Sequence, residues 1–367
     1  MLKQTEFPEF PEFPQVLLSS RPHQPVMKQK ILFIGGSLNQ TSQMHAIARH
    51  LEAEYDCYFS PMYADGLLRR LAEAGYLDFT IMGGRFRQQT ETYLNEHNLK
   101  IDYRGEGHDY ALVLMGTDLI VPRNVRGRRF ILVQEGMTDP ENLAYYLVKW
   151  LGLPRYLAST ATNGLSNAYD LFCVASEGYR DLFIRKGVKP EKIVVTGIPN
   201  YDNSAHLLQN DFPFHDYVLV ATSDARETGK RDNRQKFIRH CLDVAGKRQL
   251  IFKLHPNEKR DRAIREIRTQ APDALIFTDT PIDPMIANCS ALITQYSTVV
   301  YTGIALGKEV HSYFDVSLLR RLAPLQNGGT SGRHIAAACR FLLESSQLPV
   351  TSHQLPVLGE QTLVTGY

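Results

Sequence analysis

Lys253-Leu254-His255-Pro256 and the later Thr294-Gln295-Tyr296-Ser297-Thr298 place a cation, an imidazole and two hydroxyls at the ends of two short apolar runs, residues 249–252 and 291–293. Each run reads as a buried strand. In an open parallel sheet, ligands bind outside the carboxyl ends of the strands. These residues therefore predict one sheet edge built to hold a phosphorylated ligand. Hydroxyls and backbone N–H groups where a helix begins bind anions, because unpaired donors and the helix dipole face the ligand. Val299-Val300-Tyr301 begins such a helix, with Ser297 or Thr298 as its N-cap. Capping would account for one hydroxyl; phosphate binding uses both.

Other residues could act on the same ligand. Ile131-Leu132-Val133 runs into Gln134-Glu135-Gly136-Met137, so Glu135 ends a strand. A carboxylate within hydrogen-bond reach of an acceptor hydroxyl can take its proton. Glu135 is the candidate base, with Asp139 in reserve. Asp118, after Met115-Gly116-Thr117, ends another strand and is a candidate acceptor contact. Arg226, in Thr222-Ser223-Asp224-Ala225-Arg226-Glu227, offers a guanidinium whose fixed donors suit a phosphate. Gly35-Gly36-Ser37 follows the first strand as a weak phosphate-loop signal, since it is not a GxGxxG. His45, His108 and His311 read as structural or surface residues. No Asp-x-Asp stands in a loop suited to a divalent metal, so the expectation is a metal-independent site with no cofactor.

Strands and helices must position these groups. Residues 30–34, 110–115, 130–133, 171–174 and 193–196 read as strands, mostly separated by helical stretches such as 142–151 and 177–186. A second series starts at 217–221 and continues through 250–253, 274–277, 291–293 and 310–313. The alternation predicts parallel sheets covered by helices on both faces. Residues 201–216, polar and carrying Pro213, read as a linker. The expected organisation is a Pro-rich leader (1–26), a first Rossmann-like domain (27–205), a second (206–345), and a tail (346–367). The leader repeats Glu-Phe-Pro three times from Glu6 to Pro14, which favours extended, unpaired backbone. Its spaced Phe side chains would also suit a docking peptide.

Composition narrows the class. The chain has 367 residues, a net charge of +2, 43% apolar and 22% charged residues, an ordinary globular profile. That charge gives no mandate for nucleic acid. Local basic clusters, residues 123–129 and 259–268, are either solvated faces or contacts to anionic head groups at a membrane surface. The five cysteines form no CxxC or Cys/His cluster, which argues against a zinc site or disulfide framework. With no apolar run long enough to span a bilayer and no signal-peptide core, a cytoplasmic protein is the default.

Several of these motifs also carry a family resemblance. Gly187-Val188-Lys189-Pro190-Glu191-Lys192 and Val195-Thr196-Gly197-Ile198-Pro199-Asn200-Tyr201-Asp202 are similar to a domain-junction segment of two-Rossmann-domain glycosyltransferases and UDP-N-acetylglucosamine 2-epimerases. The Lys253–Pro256 and Ser297-Thr298 elements resemble the Lys-x-His-Pro and Asp-Tyr-Ser-Ser motifs of CDP-glycerol glycerophosphotransferases. They also resemble the His-Pro and Ser-Ser/Thr motifs of bacterial sialyl- and Kdo-transferases. Residues 305–315 extend the match.

The resemblance implies a glycosyltransferase-B (GT-B) architecture, two Rossmann-like domains with a cleft between them. It implies a CMP-, CDP- or UDP-linked donor on the second domain, held by Gly197, Arg226, Lys253, His255, Pro256, Ser297 and Thr298. The acceptor, a cell-surface glycan or glycolipid precursor, falls on the first domain beside Gly35, Gly36, Asp118 and Asp139. Glu135 and His255 would be catalytic, and peripheral association with the inner membrane face is a further implication. Departures matter. Gln295 stands where the polyol-phosphate enzymes have an aspartate, and Gln134-Glu135-Gly136 where they have Trp-His-Gly. Asp224 replaces the epimerases' histidine, and Tyr301 and Thr302 replace their acidic pair. An epimerase-like isomerase and an inactive nucleotide-binding scaffold are the alternatives.

Overall fold

The computed structural model describes residues 28–227 and 232–345; the leader with its Glu-Phe-Pro repeats and the tail lie outside them. Strands β1 (Lys30–Gly35), β2 (Asp56–Pro61), β3 (Leu112–Met115), β4 (Phe130–Val133), β5 (Leu171–Val174) and β6 (Ile193–Val195) form one parallel sheet, in the order β2-β1-β3-β4-β5-β6. Helices α1 (Leu38–Ala48), α2 (Gly66–Glu73), α3 (Gly84–Glu96), α4 (Leu143–Leu151) and α5 (Glu177–Lys186) lie among them. Because β1, β3, β4 and β5 are almost continuously apolar and buried on both faces, only a doubly covered parallel sheet can hold them.

The second sheet is also parallel. It contains β7 (Val218–Ala221), β8 (Leu250–Lys253), β9 (Leu275–Phe277), β10 (Ala291–Thr294) and β11 (Glu309–His311), ordered β11-β10-β7-β8-β9. Helices α6 (Arg234–Ala245), α7 (Arg260–Gln270), α8 (Ile282–Asn288), α9 (Val300–Ala305) and α10 (Val316–Leu322) belong to this half, and α11 (Ser331–Glu344) ends the described chain. Pairing of Ala221 with both Lys253 and Thr294 brings the ends of β7, β8 and β10 level at one edge. Strand order reverses between β1 and β3 in the first sheet and between β7 and β10 in the second. Those are the crevices where parallel sheets bind ligands. The result is the expected α/β architecture of two Rossmann-like halves.

Two readings of the sequence need correction. Helix α11 does not sit on the second sheet: Ile335, Ala336, Cys339 and Leu343 pack into the first domain's core with Ile31, Met44, Ile47 and Leu51. Its apolar face is complementary to α1, a partner distant in sequence. Residues 201–216 are not a loose linker either. Phe212 is buried against Tyr217 and Phe277, with ring centroids 6.1 and 5.7 Å away.

The halves meet tightly through α5. A Cβ at Gly178 would overlap the Arg321 carbonyl at the end of α10, and the Ser176 hydroxyl donates to Leu322 O at 3.1 Å. The Tyr179 and Tyr301 hydroxyls meet at 2.8 Å inside this interface. At the other end of α5, buried Lys186 donates to Ala161 O at 2.8 Å and lies over the Tyr145 and Phe183 rings.

Burial pushes the Lys186 ammonium down to about 8 from its ordinary 10.5. A depressed lysine value means that the unfolded chain binds the proton first as pH falls. Its contribution to stability is therefore lost between about pH 10.5 and pH 8 and stays lost below. Lys186→Met should raise the melting temperature by roughly 2 °C or more near pH 7, with the gain shrinking toward pH 10. Calorimetry across that range checks it; an equal gain at every pH would contradict the burial cost.

Candidate active site between the domains

Glu135 leaves the end of β4, and its carboxylate is held from both sides. The Ser37 hydroxyl donates to Oε1 at 2.8 Å, and the Gln40 amide donates to Oε2 at 2.7 Å. Ser37 is also the N-cap of α1, accepting from Gln40 N. Gln40 is buried and its own Oε1 accepts from Gly36 N at 2.9 Å. Gly35 and Gly36 thus serve packing: a Cβ on Gly35 would press into Thr41, and one on Gly36 into Met62 and Ile81. The glycine turn brings α1's first turn, where the helix dipole favours negative charge, against Glu135.

Gln134 fixes this turn. Its Oε1 accepts from Ala175 N at 2.9 Å and its Nε2 donates to Gly136 O at 2.7 Å, while its backbone carbonyl accepts from Gln43. Two of the four or so lone-pair directions of Glu135 are used by Ser37 and Gln40. The carboxylate also lines a cavity of about 180 Å³, with Asn39, Gly116, Thr160, Asn163, Tyr201 and Thr298 among its walls. Sites for larger ligands run to roughly 300–1,000 Å³, so this space suits the reacting end of a ligand rather than the whole.

Thr298 is the second domain's contribution to that cavity. It lines the cavity together with Tyr201, and a Cβ on Gly136 would stand 3.5 Å from the Tyr201 ring. The expected N-cap role does not hold: α9 starts one residue later, with Val299 at the cap position and no side-chain cap. Neither Ser297 nor Thr298 is consumed by capping. The helix has only 6 residues, so its dipole adds little at this edge.

His255 stands at the end of β8 on a stiffened loop. Its N–H donates to the Thr222 hydroxyl, which donates in turn to buried Glu258 at 2.6 Å. Nδ1 accepts from Asn257 N at 3.2 Å, so Nε2 carries the proton of the neutral ring. Asn257 donates to Asp224 and accepts from Arg85 of α3 at 2.8 Å, a contact spanning the domains. Pro256 is exposed between them. His255, Lys253 and Ser297 are not among the residues lining the Glu135 cavity.

Other predicted residues serve the framework. Lys253 turns toward β9, where its ammonium donates to Thr278 O at 2.7 Å and Leu254 O at 3.1 Å; burial lowers its pKa. It does not join Ser297 and Thr298. Arg226 donates both terminal nitrogens to Glu266, at 2.8 and 2.7 Å, within a cluster that includes Asp232, Arg234 and Glu258. Asp118 is 0% exposed, its two oxygens accepting from Gly164 N and Ser166 N. It holds a loop and has no oxygen facing an acceptor.

Asp139 accepts from the Ser159 and Thr160 hydroxyls, both at 2.8 Å, near the cavity rim. Gly197, at φ +71°, lets the junction pass Ser331, which a Cβ there would strike. Gln295 is buried between Ser223, which donates to it, and Asp232, to which it donates. Among the described residues, no group of three or more His, Cys, Asp or Glu side chains could hold a metal ion.

Gln40 and Asn257 were invisible as site residues from sequence. Ser37, in the Gly-Gly-Ser turn, and Tyr201, inside the Gly-Ile-Pro-Asn-Tyr-Asp junction, carried signals that could have pointed to them.

No family model and no curated protein matches the sequence. Solved structures do match the fold. A Neisseria meningitidis UDP-GlcNAc 2-epimerase bound to UDP-GlcNAc is 12% identical, with 85% of this chain and 100% of that one covered, at a TM-score of 0.55. The Staphylococcus aureus protein MnaA, solved with UDP, is 12% identical over 89% of this chain and 100% of its own, at 0.52. The wall teichoic acid polymerase TagF aligns more loosely, at 11% identity and 0.48. The chain therefore has the two-domain GT-B-type fold that the junction and strand-end motifs predict.

Proposed function

We propose that this chain is a metal-independent transferase. It moves a sugar or polyol-phosphate from a CMP-, CDP- or UDP-linked donor to a hydroxyl of a cell-surface glycan or glycolipid precursor. One observation carries the reading: Glu135 is fixed by Ser37 and Gln40 in a cavity whose walls also include Thr298 of the second domain. The acceptor hydroxyl enters beside Glu135 and gives up its proton to the carboxylate as its oxygen bonds to the transferred group. The bond from that group to the donor phosphate oxygen breaks, and the nucleotide leaves with the electron pair. Ser297 and Thr298 hydroxyls and the Nε2–H of His255 meet the charge on the leaving phosphate, the electrostatic part of catalysis. Lys253 and Arg226, committed to carbonyls and carboxylates, contribute structure to this reading rather than contact.

The isomerase alternative fits the site less well. The positions of the epimerases' acidic pair hold Tyr301 and Thr302, both buried, with Tyr301 bonded to Tyr179. Incubation with UDP-N-acetylglucosamine alone separates the readings, because acceptor-free formation of the C2 epimer would contradict transfer.

Two outcomes are expected. In a thermal-shift panel of CMP, CDP, UDP and GDP, at least one pyrimidine nucleotide raises the melting temperature, since a ligand bound only by the folded state stabilises it by mass action. No response to any of the four would remove the donor site. Glu135→Gln keeps that nucleotide response but lowers acceptor-dependent donor consumption by about 10²–10⁴-fold. Unchanged turnover in this variant would exclude Glu135 as the base, and donor untouched by the intact protein with every acceptor would favour a scaffold.

A further inference from the structure

Helix α4 is apolar on the face that the fold does not use. Tyr145 and Val148 point inward, where they form a small core with Ala158 and Ala161. Leu143, Leu147, Trp150 and Leu151 recur at i, i+4, i+7 and i+8, which places them on one stripe of the helix. That stripe faces outward: Leu143 is 73%, Trp150 74% and Leu151 65% exposed. Tyr156 and Leu157, also exposed, continue it into the following turn. Soluble surfaces carry such residues singly, and a contiguous group marks an interaction surface.

We infer that this face seats the protein on a lipid bilayer. Charge and composition select that occupant. From residue 142 to residue 169 the sequence has no Asp or Glu, and its only charged side chains are Lys149 and Arg155. Trp and Tyr with an apolar body and a polar tip, Leu anchors and neighbouring cations are what a helix lying in the headgroup region needs. Cations next to an anionic leaflet add attraction for each side chain near the surface.

In the basic clusters that the sequence offered for this role, three cations are paired with acids, whereas Lys149 and Arg155 donate to a hydroxyl and to carbonyls and keep their charge. Arg128 pairs with Asp109, Arg260 with Asp279 and Arg262 with Glu227. The α4 face also lies close to the cleft along the chain. The turn that carries Tyr156 and Leu157 runs on to Ser159 and Thr160, which hold Asp139, and Thr160 lines the Glu135 cavity. A bilayer-seated α4 would bring a membrane-embedded substrate near that rim. The surface does not depend on the transferase reading, because its test measures binding alone.

Trp150 is the sole tryptophan, so its emission reports this face directly. The full chain is titrated with vesicles of phosphatidylcholine mixed with phosphatidylglycerol, following emission and co-flotation. The expected result is a blue shift together with flotation. The double variant Leu143→Ser, Leu151→Ser keeps the fluorophore and, being altered only at exposed positions, the melting temperature. It should bind about tenfold more weakly or worse. An emission spectrum unmoved by vesicles would overturn the inference. So would equal vesicle binding by the double variant, or a blue shift on concentrating the protein without lipid, which would assign the face to a second copy.

Discussion

Two parallel sheets present their carboxyl edges to a shared cleft because the chain crosses between them twice and the crossings are tied together. The outward crossing is the Gly197–Asp202 junction; the return runs from α10 to α11. Asp202, buried at their meeting, accepts from Ser331 N through its carboxylate and from Gly328 N through its carbonyl. Gln326 adds bonds to Ser204 N and to the Tyr201 carbonyl. A buried carboxylate bonded to a backbone N–H is costly to disturb. This clasp places Tyr201 against Gly136 on one side and Thr298 on the other.

Much of this architecture was legible in sequence. Central strands buried on both faces read as continuous apolar runs, and β4, β5 and β8 fall where such runs predict them. The edge strand β2 was not legible. Asp56-Cys57-Tyr58-Phe59-Ser60-Pro61 mixes polar residues with a terminal proline, tolerable because β2 ends its sheet, its outer edge meeting only an isolated bridge from Phe59 to Ile101. The placement of helix α11 was not legible, since its partner α1 lies at the opposite end of the chain. Placement is a property of matching surfaces, which periodicity does not encode.

The candidate site was legible in part and for a physical reason. Strand ends can be read, so Glu135 and Thr298 were placed at strand ends and do line one cavity, while His255 and Ser297 lie at strand ends outside its lining. Side-chain direction beyond the strand end cannot. Lys253 turns to the Thr278 and Leu254 carbonyls, Asp118 inward to a loop and Arg226 to Glu266 because each buried charge must find partners before it can serve a ligand. The residues that orient Glu135 come from α1, whose capping serine and buried glutamine look like ordinary helix-start chemistry. They become site residues only because Gly35-Gly36 packs that helix start beside β4.

The account rests on a donor spanning the cleft, with its phosphates on the second domain and its reacting end toward Glu135. The most direct test is a crystal structure of the protein with the nucleotide that stabilises it. The account predicts phosphate oxygens within hydrogen-bond distance of the Ser297 and Thr298 hydroxyls, with the terminal phosphate directed at the Glu135 cavity. A nucleotide bound wholly on the first domain, or with its phosphates turned away from Thr298, would contradict it.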